Sequence, residues 1–226
     1  MTMTTLPAGI ANPYWDAVRD RVDWAGSLWG TPSVGGIGMY RHSDGRLDGD
    51  RWMREALKRS DMVKQYAWTI TDPETVAFVA EHSRGRLVDP LAGTGYWVHI
   101  LGQAGVDAIA YDLNPPSEDH ERNHWHRHTA GHVAIGEADA KDAVSWHPSR
   151  TLLLSWPPYD DPLGVETVRA YQGGRVIFIG EDWGGCCGDD TLFEVFEREW
   201  VKVAEHTPVQ WDGMHDIVHV YDRKEG

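Results

Sequence analysis

Two short stretches combine residue types that could bind a ligand and position a reaction. The first, Asp89-Pro90-Leu91-Ala92-Gly93-Thr94-Gly95, follows an apolar pair and precedes apolar residues at helical spacing. Glycines let the backbone approach a ligand, and the N–H groups at a helix start are free to bind one. About 20 residues further on, Asp112 stands where an acid receives ribose hydroxyls in nucleotide-binding βαβ units. The stretch therefore predicts a strand, a glycine turn and a helix that bind a nucleotide-like cofactor.

The second stretch is Ser155-Trp156-Pro157-Pro158-Tyr159, which follows the apolar run Thr151–Leu154. Such a run is typical of a strand buried on both faces, and open α/β sheets bind ligands at the carboxyl ends of their strands. The Pro-Pro pair fixes the backbone direction because each proline ring locks φ, and Tyr159 offers an aromatic face. The stretch predicts a substrate-binding edge, and an ordinary aromatic turn is the simpler alternative.

The first stretch resembles motif I of class I S-adenosylmethionine (SAM)-dependent methyltransferases, and Asp112 is similar to the ribose-binding acid of that family. The dinucleotide fingerprint G-x-G-x-x-G is incomplete, because Val98 stands at its third glycine position. The resemblance implies that SAM is the cofactor and that these residues bind it: Asp89, Pro90, Ala92, Gly93, Thr94, Gly95 and Asp112.

Two further segments match the family by position. Gly136-Glu137-Ala138-Asp139-Ala140 resembles motif III, which implies that Asp139 accepts a hydrogen bond from the adenine amino group. Asp139 could equally cap the next helix, and both roles are compatible. Tyr66 and Trp68 precede the first large strand, where the family packs a segment over the methionine end of the cofactor. An aromatic pair in the core explains Tyr66 and Trp68 equally well.

The second stretch resembles motif IV of the amino-methyltransferases, in which the first residue and a prolyl carbonyl accept hydrogen bonds from the target amine. The resemblance assigns catalytic roles to Ser155, Pro157, Pro158 and Tyr159. Trp156 occupies the first position of the motif and cannot accept a hydrogen bond. Ser155, one residue earlier, can act as the hydrogen-bond acceptor in place of Trp156 only if the backbone bulges there.

The order of these motifs implies an α/β fold with a seven-stranded, mostly parallel Rossmann-like sheet, helices on both faces and an N-terminal helical extension. A hairpin from Trp200 to Tyr221 would place its last strand antiparallel beside the fifth strand. We expect an extension or lid at residues 1–65 and a SAM-binding domain at 66–226. Apolar spacing predicts a first helix from Tyr14 to Leu28. The stretch Gly35–Gly38 fits a lid tip or, more simply, a linker.

Five histidines cluster between residues 120 and 132, at His120, His124, His126, His128 and His132. A metal site, a solvated loop and a single histidine acting as a base are the three interpretations. The run has no H-E-x-x-H signature, and the chain's 2 cysteines adjoin each other, so we expect no bound metal.

Composition restricts the partners. The 226 residues carry a formal net charge of -14, which opposes binding to phosphate backbones. The cysteine usage and the lack of a long apolar run predict a cytoplasmic protein without a membrane span. A small molecule or a protein side chain is therefore favoured as the acceptor, and a nucleic-acid base stays open. The expected reaction is methyl transfer to nitrogen or oxygen. A catalytically silent partner subunit and an NAD(P)-dependent oxidoreductase are the alternatives, and the sequence gives neither a general base nor an oligomeric state.

Overall fold

The structure is a computed structural model that describes residues 9–24, 30–35, 42 and 44–225 of the chain. The side chains of Trp52, Glu55, Ala56 and Leu57 are outside this description. Leu28 also lies outside it. Of the predicted lid tip at Gly35–Gly38, only Gly35 is described.

Helices and strands alternate along most of the chain. The helices are α1 (Pro13–Val18), α2 (Gly49–Gln65), α3 (Pro73–His82), α4 (Tyr96–Gln103), α5 (Ala140–Trp146), α6 (Leu163–Ala170) and α7 (Asp190–Glu199). The strands are β1 (Val22–Asp23), β2 (Ser33–Val34), β3 (Arg86–Asp89), β4 (Asp107–Asp112), β5 (Ile135–Glu137), β6 (Thr151–Ser155), β7 (Arg175–Gly180), β8 (Trp200–His206), β9 (Gln210–Trp211) and β10 (Ile217–Arg223). Among the described residues, no helix is long and apolar enough to cross a membrane.

The large sheet has seven strands in the order β5-β4-β3-β6-β7-β10-β8. The five strands from β5 to β7 in this order are parallel, whereas β10 runs antiparallel to both β7 and β8. The last strand is thus inserted beside the fifth strand of the parallel set. The chain has the expected seven-stranded Rossmann-like methyltransferase fold.

Alternate residues of the central strands face opposite layers of helices. Leu153 and Ile177 pack with α1, α3 and α4 in one apolar core. Leu152 and Phe178 pack with α5, α6 and α7 in the other. Because side chains alternate along a strand, a strand buried on both faces carries a continuous apolar run, as β6 does at Leu152–Leu154. The prediction of helices on both faces is confirmed.

The N-terminal region contains helices and strands. The prediction of one helix from Tyr14 to Leu28 is wrong, because α1 ends at Val18 and β1 follows after a single 3₁₀ turn. β2 pairs with both β1 and β9, which lies in the C-terminal hairpin region. The apolar spacing nevertheless indicated burial correctly, since Trp15, Val18 and Val22 are all buried. It indicated one continuous helix incorrectly, because residues on a helix and on a following strand share the buried side.

Helix capping by aspartate fixes where two of the helices begin. Asp72 accepts hydrogen bonds from the N–H groups of Glu74 and Thr75, with Pro73 in the first position of α3, as the sequence predicts. At α7, Asp189 makes the cap, and Asp190 is the first residue of the helix. From the sequence, Asp190 is the expected cap of a helix from Thr191 to Trp200, and this prediction is wrong by one residue.

Candidate active site

A cavity of about 750 Å³ opens at the carboxyl ends of β3, β4 and β6. Both stretches singled out in the sequence contribute to it, although they lie more than 60 residues apart. The predicted site residues that line the cavity are Tyr66, Trp68, Asp89, Ala92, Gly93, Thr94, Asp112, Ser155, Pro157, Pro158 and Tyr159.

The glycine turn is bonded directly to the acid that follows β4. The N–H of Gly93 donates to Asp112 Oδ2 at 2.9 Å, and the N–H of Asn114 donates to Oδ1 at 2.8 Å. The N–H of Ala92 donates to the carbonyl of Tyr111 at 2.9 Å. These bonds hold the turn and the acid in one arrangement before any ligand arrives. The sequence predicted both partners, and the structure adds that they contact each other.

Gly93 has a φ of +50°, in the left-handed region that favours glycine. A Cβ atom at this position would lie 2.7 Å from His126 Nε2. The turn therefore requires glycine for its backbone conformation and for its lack of a side chain. Such a close approach of bare backbone to a cavity suits a bound ligand.

Two carboxyl groups at this end of the cavity are shielded from water. Burial raises the pKa of Asp89 to about 8, although the N–H of Leu91 donates to it. Burial likewise raises the pKa of Asp112, against the opposing effect of its two backbone N–H donors. Desolvation disfavours a carboxylate, so a cationic ligand group beside Asp89 and Asp112 would favour their ionised forms.

Three predicted residues are not among those that line the cavity: Pro90, Gly95 and Asp139. Gly95 precedes α4 with a φ of +72°, and a Cβ there would meet Val133 at 2.7 Å. Asp139 caps α5, where it accepts a hydrogen bond from the N–H of Lys141. This is the capping role that the sequence left open for Asp139, and its adenine contact stays a prediction.

Tryptophan residues form the wall opposite the glycine turn. Trp68 stacks on Trp156 with ring centroids 5.0 Å apart, and Trp125 meets the ring of Trp68 edge-on at 5.0 Å. Tyr66 instead stacks between Tyr14 and His132, so the two predicted aromatic residues belong to different clusters. Since Trp68 and Trp125 come from segments that flank the first two parallel strands, the wall is a tertiary assembly.

Trp156 has an uncommon backbone conformation for a bulky residue. Its φ is +48°, and its indole Nε1 donates to Thr69 Oγ1 at 2.9 Å. Positive φ at a large side chain costs free energy and persists only where the surrounding structure enforces it. The chain therefore turns sharply after Ser155, the last residue of β6, and both residues line the cavity.

Pro157, Pro158 and Tyr159 of the second stretch also line the cavity. Pro157 is buried, and its carbonyl accepts a hydrogen bond from the N–H of Gly188 at 2.9 Å. One lone pair of that carbonyl is thus already used. Tyr159 is 68% exposed and Trp125 is 59% exposed. Two aromatic faces at the entrance are well placed to pack against a flat ligand.

The histidine cluster forms a loop, residues 117–132, that is tethered to the end of α2. His126 Nδ1 lies 3.0 Å from the carbonyl of Lys64, and His132 Nε2 lies 2.7 Å from the carbonyl of Gln65. The last carbonyls of a helix lack partners within the helix, so imidazole N–H groups can satisfy them. Among the described residues, no group of three His, Cys, Asp or Glu is arranged to hold a metal ion.

His126 is the histidine whose second nitrogen faces the site. With Nδ1–H donating to Lys64, Nε2 carries a lone pair beside Gly93. Burial lowers the pKa of His126, which keeps the imidazole neutral near pH 7. The sequence identified the cluster but not this member. Other lining residues that it missed are Arg59, Leu113, Asn114, Arg122, Asn123, Trp125, Cys186 and Met214.

No protein-family model and no curated protein sequence matches the chain. Several solved structures of methyltransferases are similar to the chain. The 1,6-didemethyltoxoflavin-N1-methyltransferase of Burkholderia thailandensis, with bound 1,6-didemethyltoxoflavin and S-adenosylhomocysteine, is 17% identical over 76% of this chain and 90% of its own, with a TM-score of 0.45.

The N-methyltransferase NodS of Bradyrhizobium japonicum WM9, in complex with S-adenosylhomocysteine, is 13% identical over 67% of this chain and 87% of its own, with a TM-score of 0.45. An rRNA methylase of Streptococcus thermophilus is 13% identical over 68% of this chain and 96% of its own, with a TM-score of 0.43. The assignment of the fold rests on the strand order and register of the sheet.

Proposed function

We propose that this protein is a SAM-dependent methyltransferase that transfers a methyl group to a nitrogen or oxygen atom of its acceptor. One observation carries the proposal. The glycine turn bonded to Asp112 and the Ser155–Tyr159 stretch open into a single cavity. A cofactor site and an acceptor site must adjoin for direct group transfer, because much of the rate comes from holding the reacting atoms together.

The charges at the glycine turn fit SAM. Its ammonium and sulfonium groups are cationic, and its ribose hydroxyls are donors. The cavity offers the buried carboxyl of Asp89, the half-buried carboxyl of Asp112 and the neutral Nε2 of His126. A volume of about 750 Å³ lies within the range of roughly 300–1,000 Å³ that is usual for small-molecule sites.

Each end of the cavity then has a distinct task. When bound, SAM supplies a methyl group activated by the positive sulfonium. Asp112 and the turn at Gly93 fix the ribose, whereas Trp68 and Trp156 form the opposite wall and limit the access of water. Ser155 and the second lone pair of the Pro157 carbonyl are the groups that would orient an acceptor N–H or O–H.

A small molecule or a protein side chain is the proposed class of acceptor. The formal net charge of -14 opposes the approach of a nucleic acid. The exposed rings of Trp125 and Tyr159 at the mouth favour a flat group. A nucleic-acid base is less favoured but shares this flat geometry.

Calorimetric titration of the purified protein with SAM, S-adenosylhomocysteine and NAD(P)H tests the proposal. We expect micromolar binding of the first two compounds and none of the third. Binding of NAD(P)H alone would favour the oxidoreductase, and the incomplete glycine fingerprint at Val98 argues against it. Binding of SAM without methyl transfer to any acceptor in a broad screen would favour the silent partner subunit, which Trp156 at the first motif IV position suggests.

A further inference from the structure

Arg59 on α2 lines the cavity beside the tryptophan wall. Its guanidinium carbon lies 5.7 Å from the ring centroid of Trp68 and 5.8 Å from that of Trp156. Burial raises the pKa of Asp216 to about 7, and a hydrogen bond with Glu181 raises the pKa of the Cys186 thiol; the positive charge of Arg59 opposes both rises. The carboxyls at the glycine turn are not among the groups that it affects in this way. Arg59 therefore belongs to the part of the cavity that Trp68 and Trp156 form.

Two of the hydrogen-bond donor atoms of Arg59 have no acceptor. Nε and Nη2 are both buried and have no hydrogen-bond partner within the part of the chain that the structure describes. The half-buried guanidinium groups of Arg150 and Arg175 behave differently, since each is paired with an aspartate at 2.7 Å. Burying charged donors without acceptors is costly, so two unbonded guanidinium nitrogens at a cavity wall indicate a missing acceptor.

Asp216, the acid whose pKa responds to the charge of Arg59, does not supply that acceptor. Asp216 is buried at 1% exposure, and its Oδ1 also lacks a hydrogen-bond partner. Its carboxylate nevertheless forms no ion pair with Arg59 among the described contacts. Thr69 and Trp156 instead provide the hydrogen bonds that lower the pKa of Asp216. The charge of Arg59 thus interacts with this carboxyl group. The Nε and Nη2 donors of its planar guanidinium are still available to bind a ligand.

The surroundings of Arg59 define the shape of such a ligand. Tyrosine and tryptophan dominate the cavity lining, at Tyr66, Trp68, Tyr96, Trp97, Trp125, Trp156 and Tyr159. Aromatic walls favour flat, conjugated ligands, and a guanidinium fork matches a pair of coplanar oxygens. The protein as a whole carries a formal net charge of -14 and repels anions. Arg122, the other arginine of the lining, is paired with Glu137, so the unbonded donors of Arg59 would select an anion that the surface does not attract.

We propose that Arg59 binds an anionic oxygen of the methyl acceptor, so that the acceptor is a flat aromatic amine or hydroxy compound that carries a carboxylate or enolate. The proposal rests on the proposed function for the identity of the ligand as an acceptor. The anion site itself is a separate claim about Arg59, and it is measurable without methyl transfer.

The test uses matched pairs of neutral and anionic probes. The binding of 2-, 3- and 4-aminobenzoate, each beside its amide, is measured by ligand-observed NMR on the full chain, with and without S-adenosylhomocysteine. The variants are Arg59→Met, which removes the charge at similar volume, and Arg59→Lys, which keeps it. Arg54→Met is the control, because Arg54 lies on the same helix and is exposed. Circular dichroism and thermal unfolding verify that each variant is folded.

We expect the wild-type protein and the Arg54→Met variant to bind at least one acid about tenfold more tightly than its amide. Arg59→Met should lose this preference, and Arg59→Lys should retain part of it. An equal affinity for acid and amide in all three pairs overturns the proposal, and so does a preference that survives in Arg59→Met.

Arg59 could instead bind the carboxylate of the cofactor, and a second pair of ligands separates this outcome. S-adenosylhomocysteine carries that carboxylate, whereas 5′-methylthioadenosine lacks it. If Arg59→Met weakens only the binding of S-adenosylhomocysteine, the acceptor proposal is overturned. If wild-type protein binds neither nucleoside but keeps the Arg59-dependent acid preference, the proposed function fails and the anion site stands.

Discussion

The two ends of the cavity are built in different ways. At the cofactor end, β3, the glycine turn, α4 and β4 follow one another, and Gly93 bonds to an acid 19 residues away. At the acceptor end, the wall depends on contacts between distant segments. Trp156 bonds to Thr69 across 87 residues, and the ring of Trp68 stacks on that of Trp156 and meets that of Trp125 edge-on. A short local motif specifies the first end, whereas only the folded sheet assembles the second.

This difference separates two kinds of constraint on the site. The proposed cofactor end depends on backbone conformation and desolvated acids, so the addition or removal of a single side-chain group there should change cofactor affinity. The acceptor end consists of stacked and exposed rings, which tolerate changes in detail. Substitutions at the two ends should therefore have distinct effects on cofactor affinity.

The largest effect is expected at Gly93. A valine there would place a Cβ 2.7 Å from His126 Nε2 at a φ of +50°, which a β-branched residue avoids. We expect Gly93→Val to weaken S-adenosylhomocysteine binding by at least about 100-fold, or about 3 kcal/mol, in calorimetry. Gly102→Ala is the matched control, because no atom lies within 4 Å of its Cβ position in α4. Unchanged affinity in Gly93→Val would contradict the assignment of the turn.

Asp89 should make the protein's stability depend on pH. Its pKa is raised from an ordinary 3.8 to about 8, so folding takes up a proton between these values. The contribution of Asp89 to the free energy of unfolding is therefore full below about pH 4 and falls as pH rises towards 8. Asp89→Asn stays neutral and should lose this decline, gaining up to a few kcal/mol at pH 8. Urea unfolding of both proteins between pH 5 and 8 measures the difference, and parallel curves would refute the buried neutral acid.

Removal of the ribose acid should weaken the cofactor end. Asp112→Ala deletes a half-buried carboxyl that accepts two backbone N–H groups. We expect S-adenosylhomocysteine affinity to fall at least about tenfold, since a hydrogen bond to a charged group contributes about 1.5–3 kcal/mol. Asp20→Ala is the control, because the Asp20 side chain is 93% exposed. Wild-type affinity in Asp112→Ala would remove Asp112 from the cofactor site.

The loop at residues 117–132 should become less stable when one of its hydrogen bonds to the end of α2 is lost. His132→Ala removes the 2.7 Å bond to the carbonyl of Gln65. A lost neutral hydrogen bond costs about 1 kcal/mol, which lowers the Tm of a chain of this size by about 2–4 °C. Limited proteolysis of the loop should also accelerate. His128→Ala serves for comparison, because the imidazole of His128 bonds only to Glu118 and Glu121 within the loop. Identical Tm losses in the two variants would mean that the tether is unimportant.

The smallest effect on cofactor affinity is expected at Tyr159. Its ring is 68% exposed at the cavity mouth and contributes nothing to the glycine turn. Tyr159→Ala should bind S-adenosylhomocysteine within about twofold of wild type, while methyl transfer to an identified acceptor falls. A tenfold loss of cofactor affinity would show that the two ends are not independent.

Some parts of the fold and site were accessible from the sequence because their causes are local. Asp72 and Pro73 start α3 through hydrogen bonds to residues two and three positions away. The apolar run of β6 indicated burial on both faces. The glycine turn with its acid predicted both the cofactor end and the parallel sheet that supports it.

Other parts were decided by the tertiary structure. α1 ends early because β1 and β2 pair beside it, and Asp139 lies away from the cavity because it caps α5. Nothing in the local pattern around Arg59 indicates that its donors would be buried without partners against two tryptophan rings.

The sequence by itself therefore determined the architecture of the sheet and the glycine turn with the acid that bonds to it. The physical reason is that backbone conformation, capping and alternating burial act over a few residues. The acceptor end consists of side chains that meet only after the sheet has formed, so its composition depends on packing between distant segments. The tertiary structure alone placed Trp125, His126 and Arg59 around the cavity.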